Sequence, residues 1–162
     1  MVASPGAPCQ YWGVLVRMWR GGPSADSNLS TRGKAALVGR VWVIAAKVQI
    51  AVWREPLAEV VRALEGDEAR ARVSPARLSR AVSLGLRIGQ LQPRCLVRSL
   101  VLYRLLRAQG DAAELVIGLP ARPTTPGAHA WVELAGRDVG PNPGGTGYRE
   151  LTRYPRHDAR AD

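Results

Sequence analysis

The stretch Gln92-Pro93-Arg94-Cys95-Leu96-Val97-Arg98-Ser99-Leu100 decides how the rest of the chain is read. Pro93 suits the first turn of a helix, where its missing N–H is not needed. Leu96, Val97, Leu100, Val101, Leu102, Leu105 and Leu106 follow and are apolar on several faces. A helix that is apolar nearly all round is a core helix. Gly110 stops it, and Arg107 meets the negative end of the helix dipole in the last turn. Cys95 thus stands at the positive end of a buried helix, a placement that favours thiolate over thiol. A lone cysteine among apolar residues is most often inert packing, so its role rests on what else the chain brings to it.

Downstream of Gly110 the apolar period changes from helical to alternating. Ala113-Glu114-Leu115-Val116-Ile117-Gly118-Leu119 reads as a strand, and Pro120 to Gly127, with three prolines, as a loop. Ala128-His129-Ala130-Trp131-Val132-Glu133-Leu134 reads as a second strand. Ala135-Gly136 makes a tight turn into a third strand that starts at Arg137-Asp138-Val139-Gly140. The glycine-rich run 140–147 lacks the Lys-Ser/Thr ending and the following apolar helix of a nucleotide P-loop. Tyr148 to Tyr154 adds a short terminal element, and His157 lies in a charged tail.

Of the two histidines, only His129 sits in a strand. A Cys–His pair needs a third group to hold the imidazole. With a two-residue turn at Ala135-Gly136, Glu133 falls opposite Asp138, and Asn142 falls opposite His129. Pairing favours Asn142 by proximity, whereas Asp138 is the stronger orienting group by charge and needs a bulge to reach the imidazole. Trp131 shares the face of His129, where it walls a cleft or simply packs. Glu133 pairs with Arg137 across the turn or with a basic helix face and is assigned no chemistry. One strand His and one helix Cys are too few ligands for a metal, and no cofactor is implied.

Upstream, residues 1–33 have the Gly, Pro, Ser and Asn content of a flexible tail, with Met18 as a second possible start. Residues 34–73 form a helical region, and residues 74–155 carry the Cys and His elements. Val41 to Trp53 is the most apolar run. At 13 residues with Lys47 and Gln49 inside, it is short for a bilayer span and reads as a core helix or one side of a peptide groove. Trp42 and Trp53 read as packing residues. Pro56 ends this helix, and Leu57, Val60, Val61 and Leu64 repeat at helical spacing. Ser74-Pro75 opens another helix as N-cap and first residue, and the four-residue spacing of Gly85 and Gly89 suggests close packing.

The chain of 162 residues suits one domain with tails. Its net charge of +10 comes from 23 basic and 13 acidic residues scattered along helices. No nucleic-acid-binding motif accompanies them, so they read as solvated faces and nucleic acid is not expected as a partner. Cys9 and Cys95 make no disulfide framework and no secretory signal stands out, which suits a cytoplasmic location, with peripheral membrane attachment as a variant of it.

The segments Pro93-Arg94-Cys95-Leu96-Val97-Arg98-Ser99-Leu100, Leu105-Leu106-Arg107-Ala108-Gln109-Gly110, Leu115-Val116-Ile117-Gly118 and Ala128-His129-Ala130-Trp131-Val132-Glu133 with Gly136-Arg137 resemble the transglutaminase-like leader peptidases of lasso-peptide biosynthesis. The resemblance covers roughly residues 74–142. It implies an α+β fold with a papain-like core, in which the Cys helix packs on a small antiparallel sheet behind a helical N-terminal part. It also implies a cysteine endopeptidase that removes the leader from a ribosomal precursor peptide. The expected partners are that precursor, a small leader-binding protein and an ATP-dependent ring-closing synthetase. By position, Cys95 matches the nucleophile and His129 the base. The family's acid follows the His, where this chain has Pro141 and Asn142, so Asp138 is placed first as third member and Asn142 second. Gln90 and Gln92 join the helix-start N–H groups as oxyanion candidates. An acyltransferase of the same fold, a non-catalytic peptide-binding subunit and a membrane-surface protein using residues 41–53 are the rival readings.

Overall fold

A computed structural model of the chain describes residues 30–66, 72–87, 95–122, 127–140 and 147–155. The expectations for Cys9, Met18, Gly89, Gln90, Gln92, Pro93, Asn142 and His157 lie outside those residues. The chain divides into two compact units, residues 1–34 and 35–162, and the architecture below belongs to the second.

Among the described residues, four helices are followed by four strands: α1 (Thr31–Arg54), α2 (Leu57–Leu64), α3 (Pro75–Gly85), α4 (Cys95–Arg107), β1 (Ala113–Pro120), β2 (His129–Leu134), β3 (Arg137–Asp138) and β4 (Tyr148–Tyr154). The α+β class follows directly from that order. The strands form one antiparallel sheet in the order β3-β2-β1-β4.

The helix that begins at Cys95 is the centre of the core. Leu100, Val101, Leu102, Tyr103 and Leu106 are fully buried around its circumference, as an all-round apolar sequence requires. One side of the sheet joins them through Ala113, Leu115 and Val132, and α1 to α3 add Val41, Val48, Val60, Val61, Leu78 and Val82. Gly110, at φ 83°, closes the helix in the left-handed conformation that glycine adopts without penalty. The side chain of Gln109 clamps the entry to α3, accepting from the N–H of Val73 at 3.1 Å and donating to its carbonyl at 2.9 Å.

Ser74 and Pro75 stand at the N-cap and first position of α3 as read from the sequence, though the Ser74 side chain makes no capping hydrogen bond. One helix reading needs correction. The run Val41–Trp53 belongs to a helix of 24 residues, and it is a core element along one line only. Val41 and Val48 are buried, while Trp42, Val43, Ile50 and Trp53 are 49%, 56%, 54% and 82% exposed. Trp53 is therefore no packing residue. Trp42 lies at the margin and donates its indole N–H to the carbonyl of Gly85 at 2.8 Å. Close packing at Gly85 is observed: a Cβ there would stand 3.1 Å from Val41 Cγ1.

The tight turn after β2 has φ 50° at Ala135 and 71° at Gly136, the sign a two-residue hairpin needs at both positions. It sets Leu134 opposite Arg137 and Glu133 opposite Asp138, the register expected from the sequence. The terminal element is a full strand. β4 pairs with β1 along the edge away from β2, with a register shift at Ile117/Gly118.

Candidate active site

Three elements converge where β2 begins. The first is the start of α4. Cys95 is half-buried, and its sulfur lies 3.9 Å from the carbonyl oxygen of Ala128, the residue just before His129. One turn along the helix, the buried Ser99 hydroxyl donates to the carbonyl of Ala130 at 2.8 Å. These two contacts fix both the height and the rotation of α4 against β2.

The second element is β2 itself. Alternation puts Ala130 and Val132 toward the core and His129, Trp131 and Glu133 on the other face. The imidazole of His129 lies against two aromatic rings, Tyr148 at 5.0 Å between centroids and Trp131 at 6.2 Å with the planes 19° apart. Trp131 is 3% exposed, so it backs the histidine and does not line an open wall. Its room comes from Gly118 across the ladder: a Cβ at Gly118 would stand 2.8 Å from the indole and 2.9 Å from the carbonyl of Arg149. The indole N–H donates to Glu133 at 2.8 Å.

The third element is β4, which supplies Tyr148 and Arg153. Nη1 of Arg153 bonds Glu114 at 2.6 Å and Glu133 at 2.8 Å, and Nη2 bonds Glu150 at 2.7 Å. One guanidinium thereby ties β4, β1 and β2 together. Burial pulls the Glu133 carboxyl upward, but the Trp131 N–H and the Arg153 guanidinium outweigh it and hold its pKa below the ordinary value. Glu133 thus pairs with a strand arginine; the sequence pointed to Arg137 or a basic helix.

The ladder places the third-member candidate Asp138 opposite Glu133, four residues beyond His129. At the usual strand rise this is about 13 Å along β2 from the histidine. One carboxylate oxygen of Asp138 accepts the N–H of Gly140 at 2.8 Å, a local turn bond. Asn142, Gln90 and Gln92 fall outside the described residues. Sequence reasoning missed Tyr148, Ser99 and Arg153. The segment Tyr148-Arg149-Glu150-Leu151-Thr152-Arg153-Tyr154 has no alternation to assign it a neighbour.

A family model described as the transglutaminase-like superfamily matches residues 38–153. The chain belongs to the transglutaminase-like superfamily. The match takes in α2 to β3 whole, most of α1 and nearly all of β4, so the helices before Cys95 are part of the same domain family. The superfamily consists generally of cysteine-dependent enzymes, and the fold is consistent with a cysteine protease or an acyltransferase. No curated protein and no solved structure matches the chain significantly.

Proposed function

We propose that this transglutaminase-like protein is a cysteine endopeptidase that cuts the leader from a ribosomally made lasso precursor peptide. The observation that carries the reading is the 3.9 Å approach of the Cys95 sulfur to the carbonyl that precedes His129. It brings the start of the Cys95 helix to the end of β2 at which His129 stands. The sequence blocks around these two residues are those that resemble the leader peptidases.

In the proposed reaction His129 takes the proton of Cys95. Nucleophile and base work at about 2.6–3.2 Å, a distance often completed only with substrate bound. Sulfur attacks the carbonyl at the leader–core junction. N–H groups at the start of α4 stabilise the oxyanion, with Gln90 or Gln92 as further donors. The C–N bond breaks as His129 returns the proton to the departing core amine. Water then attacks the thioester, and the leader leaves as a carboxylic acid with the thiol restored. Asn142 is the first candidate for holding the imidazole; Asp138, opposite Glu133 and about 13 Å along β2 from His129, is the second. The small leader-binding protein presents the substrate, and the ATP-dependent synthetase takes the freed core amine. All three belong to the cytoplasm in this scheme.

The test is cleavage of the precursor by the full chain with its leader-binding protein, followed by mass spectrometry. Wild type yields leader and core, their summed mass raised by one water. Cys95→Ala keeps the fold and loses cleavage, with His129→Ala down by roughly 10²–10⁴-fold. Full-rate cleavage by Cys95→Ala overturns the proposal. A product that joins the leader to an added amine assigns acyl transfer instead. Comparing Asp138→Ala with Asn142→Ala identifies the third member by the larger loss of rate.

A further inference from the structure

The outer face of α1 is an apolar strip with nothing among the described residues laid over it. Val43 and Ile50 are seven residues apart, hence two turns apart on one line, and both are more than half exposed. Ala46 lies between them and Trp53 beside them, at 82% exposure. Arg40, Lys47 and Arg54 also recur every seven residues and form a basic edge along one flank. From Thr31 to Arg54 the helix contains no Asp or Glu.

We propose that this face of α1 docks on an anionic lipid surface, with the helix lying in the plane of the interface. Three features select that occupant. An apolar stripe with a tryptophan and a cationic edge is the form of interfacial helices, whose Lys and Arg stems reach up to the headgroups. The net charge of +10 adds attraction to acidic lipid. A second copy of the chain brings the same cations and no acid from this helix to meet them.

The helix lies on the bilayer and does not cross it. By length and composition residues 32–54 suffice for a span. The opposite side of the same helix, however, carries Val41 and Val48 at 0% and 1% exposure, and Trp42 is bonded to Gly85 of α3. Crossing would strip these residues from the core, whereas surface docking uses only what is already exposed. The proposal does not depend on the peptidase reading.

Flotation of the full chain with vesicles tests it. Vesicles of equimolar phosphatidylglycerol and phosphatidylcholine should bind at least about tenfold better than phosphatidylcholine alone, and binding should fall in about 0.5 M salt. The pair Ile50→Glu with Trp53→Glu should lower binding by about tenfold or more and leave the thermal midpoint and far-UV circular dichroism unchanged, since both side chains are exposed. Lys47→Glu gives a second, milder loss without touching the apolar strip. Equal binding to both vesicle types, no binding, or a double variant that binds like wild type overturns the proposal. So does concentration-dependent self-association, or precursor binding, that vanishes in the double variant while vesicles are ignored.

Discussion

Tyr148 is the residue whose place says most about the site. Among the described residues it is the nearer of the two rings against His129, at 5.0 Å, and it comes from the strand most distant in sequence. Aromatic pairs of this kind contribute about 0.5–1.5 kcal/mol. If that energy sets the angle of the imidazole, Tyr148→Ala will slow precursor cleavage by up to about tenfold. Thermal stability will barely change, because Tyr148 is only half-buried, and Tyr148→Phe will restore the rate. A purely structural tyrosine would lower both together. The helix start at Cys95 and the strand that holds His129 were legible in the sequence, because a proline-led apolar run marks the one and an alternating run the other. Tyr148 was not legible, since its role arises from a strand pairing that no local pattern announces. Asp138 shows the complementary case. Its charge drew attention, but the register decides its position and puts it beside Glu133.

At the scale of elements, the sheet is held by more than its ladder. Arg153 reaches across β1 to β2 and bonds three carboxylates, all from residues less than half exposed. Glu133 has a pKa lowered in the fold, so its contribution is present above the unfolded carboxylate value and disappears as the pH falls through the folded one. Glu133→Gln should therefore cost on the order of 1–2 kcal/mol at neutral pH. The gap from wild type should close below about pH 4.3, as read by urea unfolding across a pH series. A gap that stays constant into acid would show that the ion pair does not carry it. The antiparallel hairpin was readable from Ala135-Gly136, because turn chemistry is local. The side to which β4 would add was not, because its short pattern fits the free edge of β1 and that of β3 equally.

The larger unit, residues 35–162, is built round α4, and Tyr103 shows how completely. Its ring is fully buried, and its hydroxyl donates to Glu65 at 3.2 Å. Burial first, and then the Glu65 carboxylate, push the phenol pKa up. A raised folded pKa means stability that is complete below about pH 10 and is lost as the pH climbs beyond it. Tyr103 should ionise only when the chain unfolds at high pH, and Tyr103→Phe should remove that part of the alkaline transition, seen by ultraviolet difference spectra. The exposed half of α1 was hidden from sequence analysis for a related reason. An apolar run tells how much hydrocarbon a helix has, but not how much of it the other helices can cover. Finally, β4 lies against β1 although the loop and hairpin carrying β2 and β3 intervene. A growing polypeptide has therefore already emitted Cys95 and His129 when the ring that steadies the histidine has yet to be translated. The sheet therefore closes around the histidine only once β4 has been made.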